Sequence, residues 1–153
     1  MERCGFGVIR SDGQVLVAED YGLIATPRGL PAGERLLRLY EAMCEKLAAM
    51  RPDLVVVERL FFSRNRTSAL SVGEARGVLL LAVTQQGTAL REYTPAEVKQ
   101  AVCGYGNADK DQVGTMVRMV LRLLETPRPD DVADALAVAI CGINAARMEA
   151  LLP

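Results

Sequence analysis

Residues 5–9 and 14–19 form two short β-prone runs separated by Arg10-Ser11-Asp12-Gly13. An Asp-Gly pair in that position predicts a hairpin. Residues 21–26 read as a third strand, ended by Pro27 and Gly29. From residue 32 to residue 50 the apolar positions Leu36, Leu39, Tyr40, Met43 and Leu47 recur with helical spacing, so one face is buried. Pro52 stops that helix. Residues 53–58, Asp-Leu-Val-Val-Val-Glu, make a continuous β-branched run that ends in a carboxylate. An unbroken apolar run of this length predicts a parallel strand covered on both faces.

A loop at residues 59–65 precedes a helix expected over 67–86, in which Gly73 and Gly77 permit close packing. Residues 88–93 form another strand. Thr94-Pro95-Ala96-Glu97 then starts a helix, with proline at its first position and Glu97 where a capping box places it. Residues 104–107 interrupt before a helix over 109–124. Thr126-Pro127-Arg128-Pro129 is a rigid connector, and a last helix is expected over 130–151. Strands first, then β-α alternation, then helices define an α/β layer with helices on the sheet.

The chain has 153 residues, half of them hydrophobic and 24% charged, which is the composition of one globular domain over 1–153. No apolar run reaches the roughly 18 residues of a membrane-spanning helix. The start has no apolar leader pattern, so a cytoplasmic protein is expected. Histidine is absent. That removes Ser-His-Asp and Cys-His catalysis, His-ligated zinc and an imidazole base. Cys4, Cys44, Cys103 and Cys141 lack C-x-x-C spacing and read as reduced, mostly buried thiols. Chemistry must therefore run on carboxylates, lysines, hydroxyls and bound cations.

The net charge of −1 hides a polarised chain. Arg59, Arg64, Arg66 and Arg76 stand against Glu74 alone. Further on, Glu125, Asp130, Asp131, Asp134 and Glu149 stand against Arg128 and Arg147. Basic beside acidic suits an enzyme that grips an anionic polymer and holds a divalent metal; solvated faces are the plainer alternative. Glu58 ends the most buried strand, at the end of the sheet where α/β folds place ligands. Asp131 and Asp134 lie three apart at a helix start and so share one face. Capping is the simpler reading of the pair, with Asp130 or Asp131 as the N-cap. Asp134 fits it less well, because it falls among the small residues of Val132-Ala133-Asp134-Ala135-Leu136-Ala137. A strand-end Glu with a helical D-x-x-D fits an oxygen-only site for Mg2+. Two such ions about 3.5–4 Å apart are an apparatus for phosphodiester cleavage.

These residues carry a resemblance. The segment from Glu2-Arg3-Cys4-Gly5 to Ile9, the strand ending at Glu58 with Arg59-Leu60-Phe61-Phe62-Ser63-Arg64-Asn65, and Gly73-Glu74-Ala75-Arg76-Gly77 are similar to the RuvC family of Holliday-junction resolvases. So are residues 95–104 with Val98-Lys99-Gln100, Ala108-Asp109-Lys110-Asp111-Gln112-Val113, and residues 131–137. The resemblance implies an RNase H-like mixed sheet flanked by helices, a homodimer, and two Mg2+ or Mn2+ ions per site. It also implies symmetric nicking of two opposed strands of a four-way DNA junction, beside a branch-migration complex of RuvA and RuvB type. By the same resemblance Glu58, Asp131 and Asp134 are three of four metal-binding acids. Phe61 stacks on an unpaired base, Arg64 and Asn65 lie in the same DNA-binding segment, and Lys99 and Lys110 contact DNA near the cut. Core packing for Phe61, and exposed surface charge for the lysines, are the alternatives.

The family's fourth acid lies in a first strand reading approximately Gly-Ile-Asp-Pro-Gly, just before the segment that begins here at Glu2. The reading is that the natural start lies upstream of Met1; the alternative is a truncated, catalytically impaired junction-binding module. In the family that strand runs between the hairpin strand and the strand ending at Glu58. Without it, an apolar slot with unpaired ladder groups is expected. Slow hydrolysis by the chain as given, and normal hydrolysis with the strand restored, follow from the same comparison.

Overall fold

The computed structural model describes residues 3–59 and 66–153, with the side chains of residues 66–68 left aside. The order is β1 (Arg3–Asp12), β2 (Val15–Ala25), α1 (Ala32–Met50), β3 (Leu54–Glu58), α2 (Arg66–Gln85), β4 (Ala89–Tyr93), α3 (Pro95–Cys103), α4 (Lys110–Val120) and α5 (Asp130–Ala150). The hairpin forms with Asp12 paired to Val15, so the tight turn is Gly13-Gln14, one position later than the Asp-Gly pair suggested. The separate third strand does not form. Its residues continue β2, and the register shifts between Val8 and Ile9, which leaves Glu19 as an extra residue on the longer strand. Such a bulge carries a polar interruption through a strand by bending it rather than ending it.

β3 and β4 pair in parallel, Leu54 with Ala89 through Glu58 with Tyr93, as the unbroken apolar run implied. Among the described residues β1 pairs only with β2 and β3 only with β4, giving two two-stranded sheets. Helices cover both faces. On one side α3, α4 and α5 build the larger core around Val98, Val117, Leu136 and Ile140. On the other, α1 and α2 build two smaller clusters around Leu39 with Leu79, and Leu47 with Val83. α5 lies close against β3: a Cβ added at Gly142 would stand 2.3 Å from Val56 Cγ2.

The helix expected over 109–124 stops at Val120. Arg122 takes a left-handed φ of 54°, which turns the chain and keeps Leu121 in the core while Leu124 points to solvent. Capping reasoning succeeds at α3, and the structure adds a second box at α4. Thr94 and Glu97 form a reciprocal capping box, as do Asp109 and Gln112. Each such cap is worth about 1 kcal/mol. It fails at α5, where the N-cap is Pro129 and makes no side-chain hydrogen bond. Asp130 there pairs with Arg128 at 3.1 Å and Lys110 at 3.8 Å instead.

Candidate active site

Glu58 closes β3, and Asp131 and Asp134 lie in the first turns of α5, which packs against both β1 and β3. Burial raises the Glu58 carboxyl above its ordinary range; the Asp134 charge raises it further, and Lys99 partly opposes both. Asp134 is likewise raised, first by burial. Lys110 draws it back down, Asp130 and Asp131 push it up, and Lys99 again lowers it. Four residues from four distant elements therefore share one electrostatic environment: Glu58, Lys99, Lys110 and Asp134. The capping boxes explain how both lysines arrive there, because they fix the starts of α3 and α4 from which Lys99 and Lys110 project.

Asp131 differs. Its carboxylate accepts from Arg3 at 3.3 Å, at the start of β1. That pairing depends on a close approach: a Cβ built on Gly5 would lie 2.0 Å from the Asp131 carbonyl oxygen. Arg3 is the site neighbour that sequence reasoning missed, although the Arg3-Cys4-Gly5 string was in view. Phe61, Arg64 and Asn65 lie outside the described residues. The arginine-rich segment is less free than its charge suggested. Arg76 and Arg59 both pair with Glu92, Arg59 at 3.9 Å. In the acidic segment, Glu149 pairs with Arg91 away from the other carboxylates.

Among the described residues no three His, Cys, Asp or Glu side chains stand together in positions that would hold a metal ion. The donor chemistry still fits a hard divalent cation at Glu58 and Asp134, two half-buried carboxylates whose shared charge is only partly offset by lysine. Asp131 fits only after its Arg3 partner yields.

The pH dependence follows in sign. An acid whose pKa is raised on folding binds its proton better in the folded state. Its stabilising contribution is therefore present at low pH and lost as pH rises through the raised values. At neutral pH the two carboxylates weigh against the fold, and a divalent cation should relieve them. Millimolar Mg2+ is expected to raise the melting temperature at neutral pH, and to do so less near the ordinary carboxylate range. In metal-free neutral buffer, Glu58→Gln should melt roughly 2–4 °C higher than the unsubstituted chain, the shift that ~1 kcal/mol produces at this size. It should also lose most of the Mg2+ response. Differential scanning fluorimetry checks both, and a lower melting point for Glu58→Gln would reject the shared-charge reading.

The cysteines are all free. Cys141 is buried, and burial, aided by the charge of Glu97, pushes its thiol up to about 11, which keeps it protonated and unreactive.

The mixed α/β fold, which brings Glu58 and Asp134 into one charge environment with Lys99, is of the RNase H-like class. The family described as "Crossover junction endodeoxyribonuclease RuvC" matches residues 1–142. The chain belongs to the RuvC family of crossover junction endodeoxyribonucleases. A RuvC from Chloroflexus aggregans is 53% identical over 137 residues, covering 90% of this chain and 84% of that protein. One from Desulfitobacterium hafniense is 53% identical, covering 90% and 83%. The structure of Thermus thermophilus RuvC superposes with a TM-score of 0.89 at 38% identity, covering 97% of this chain and 91% of that one. The same protein in complex with a Holliday junction substrate gives 0.87 at 36% identity, covering 96% and 90%.

Among the described residues no helix is long and apolar enough to cross a membrane.

Proposed function

We propose that this chain binds four-way DNA junctions and nicks two opposed strands, with Glu58 and Asp134, joined by Asp131, as the acids that hold Mg2+ or Mn2+, two ions per site. The observation that carries the reading is the meeting of Glu58, Asp134 and Lys99 from three distant stretches of chain. When bound, the cation supplies the charge that activates water against the phosphodiester and steadies the departing 3′ oxygen. The chain's own groups do the rest. Half-burial of Glu58 and Asp134 excludes part of the bulk water and keeps the oxygen donors on rigid elements. Lys99 and Lys110 place positive charge beside them, where a scissile phosphate would be held and oriented. Arg3 pairs with Asp131, and a cation held there would have to compete with it for the carboxylate.

Phe61 is proposed to stack on an unpaired base at the junction centre, a contact worth roughly 1–3 kcal/mol, with Arg64 and Asn65 beside it on the DNA. Recognition would rest on junction shape and phosphate geometry, with base preference at the cut second. The test is a labelled four-way junction incubated with the protein and Mg2+. Paired, symmetric, ligatable nicks support the reading. Salt-sensitive junction binding without nicks at any Mg2+ or Mn2+ concentration would leave a junction-binding module in its place.

A homodimer would set two such sites on two strands by its two-fold axis. α2 offers the surface. Leu70, Gly73, Gly77 and Leu81 follow helical spacing on its outer side; Leu70 is 66% and Leu81 53% exposed, and a Cβ on either glycine would meet nothing within 4 Å. Leu81→Asp is expected to convert the dimer to monomer in sedimentation while the melting temperature stays within a few degrees. A dimer that persists in this variant would move the interface elsewhere.

A further inference from the structure

The hairpin turn, the end of α3, the end of α4 and the last turns of α5 enclose a pocket of about 240 Å³. Ile140, Asn144 and Arg147 line it from one stripe of α5. Asp134 lies near the start of that helix, so Arg147 stands about 20 Å further along it, at a rise of 1.5 Å per residue. This pocket is therefore distinct from the carboxylate site. Leu16, Val102 and Ile140, all buried in the larger core, make its apolar floor. The rest of the lining carries one sign of charge: Gln14, Arg122, Asn144 and Arg147 stand there, with no Asp or Glu. The Arg147 guanidinium donates to Ser11 Oγ at 2.8 Å and to the Gly13 carbonyl at 2.7 Å, so its charge is oriented but not cancelled. Two acids flank these contacts along the chain and both are engaged elsewhere. Asp12 pairs with Arg10 at 3.2 Å, and Glu149 with Arg91. Arg122 reaches the pocket through its left-handed backbone, in the turn that ends α4.

We infer that this pocket captures the free C-terminus of a partner polypeptide that ends in a large apolar residue preceded by acidic ones. Guanidinium and amide donors stand within one pocket's width of a buried apolar floor. An internal residue presents a carboxylate or a large apolar side chain, never both. A terminal Phe or Leu carries both on a single Cα. The guanidinium grips the carboxylate through paired N–H donors, the Gln14 and Asn144 amides donate to its remaining lone pairs, and the floor takes the side chain. Two guanidiniums meet one terminal carboxylate, so one positive charge is left over, and an acid shortly upstream matches it. A phosphodiester chain brings the charge without an apolar group to fill the floor. Arg147 is already held by the hairpin turn, which lowers the ordering cost of binding. The partner would thus be tethered well away from the acids and lysines at the other end of α5, and would leave them open to DNA.

The test uses the full 153-residue chain and a fluorescein-labelled Ser-Gly-Asp-Glu-Asp-Phe peptide, with the same peptide closed as its C-terminal amide for comparison. Fluorescence anisotropy should show saturable one-to-one binding of the free acid. The amide should bind roughly tenfold more weakly, the loss of one charge-assisted hydrogen-bonded pair. A peptide with Phe moved inward from the end should bind as weakly as the amide. Arg122→Asn, which suits the left-handed backbone and removes the charge, should weaken binding by a similar factor, and Arg147→Gln by more. Because Arg147 also holds the hairpin turn, Ala101→Trp serves as a further variant. It obstructs the pocket from an exposed position on α3 and keeps both guanidiniums, and it should abolish binding. In methyl spectra the free acid should shift Leu16, Val102 and Ile140 and leave Val57 unmoved. Equal affinity for acid and amide would overturn the proposal, as would undiminished binding by Ala101→Trp. A four-way junction that displaces the peptide, and that itself binds more weakly to Arg122→Asn and Ala101→Trp, would assign the pocket to DNA and overturn it equally. None of these readouts needs metal or nuclease activity, so the outcome stands apart from that of the cleavage assay.

Discussion

Glu58→Gln and Asp134→Asn should each slow Mg2+-dependent nicking of a four-way junction by a factor on the order of 10²–10⁴ relative to the unsubstituted chain, the range seen when a positioned catalytic group is lost. Junction affinity in the absence of metal should hold or rise slightly. Both changes keep side-chain volume and remove one negative charge from a site that meets phosphate, so repulsion falls while shape is preserved. The asymmetry separates a catalytic role from a structural one. Misfolding would lower binding and cleavage together, whereas loss of an oxygen donor lowers cleavage alone. Single-turnover cleavage and filter binding, measured on the same preparations, give the ratio. Mn2+ affinity read by electron paramagnetic resonance should fall in both variants. Lys99→Met offers the contrast: it should weaken junction binding, reduce the salt slope by about one, and lower cleavage through positioning. A cleavage rate within threefold of the unsubstituted chain for Glu58→Gln would remove Glu58 from the site.

The largest effect on stability is expected at Gly5. Alanine there would bring its Cβ to 2.0 Å from the Asp131 carbonyl oxygen and 2.5 Å from its carbon, both backbone atoms at the start of α5. A flexible side chain could turn away; a helix end can move only by shifting the helix. Overpacking typically costs 1–3 kcal/mol, and the rigid neighbour places Gly5→Ala at the top of that range, about 3 kcal/mol. In a chain of this size that lowers the melting temperature by roughly 6–12 °C. Because the displaced helix carries Asp131 and Asp134, cleavage should fall further than stability alone accounts for. Gly33→Ala in α1 supplies the opposite sign. Nothing lies within 4 Å of its added Cβ, and replacing an exposed helical glycine should stabilise by about 0.5–1 kcal/mol. Calorimetry on the two variants tests the contrast, and a Gly5→Ala melting point within two degrees of the unsubstituted chain would show that β1 does not press on α5.

Periodicity found the elements because burial of a helix stripe or a strand run leaves its mark on neighbouring residues. The 19-residue α1, the β-branched β3 and the Thr94–Glu97 capping box were legible for that reason, whereas the Asp109–Gln112 box was not read from the chain. Termination was less legible. α4 ends early because Leu121 is drawn into a core built with α5, and no residue near position 121 signals that demand. The bulge opposite Val8 was hidden similarly, since a polar pair inside a strand reads as an end unless its neighbour's register is known. At the site, Glu58, Asp131 and Asp134 were named from position and spacing, and Lys99 and Lys110 from the family resemblance alone. The Arg3 partnership was not, because it spans more than a hundred residues and rests on a glycine's missing side chain.

The sequence by itself determined where most helices and strands lie, that chemistry here runs without histidine, and which acids stand ready for it. These are properties of single residues and of short-range spacing, where backbone sterics and burial act within a few positions. Only the tertiary structure decided that Glu58 and Asp134 share a charge environment with Lys99 while Asp131 turns to Arg3. Those outcomes depend on distances between elements far apart in the chain, which packing of α5 against both sheets fixes and local pattern does not encode.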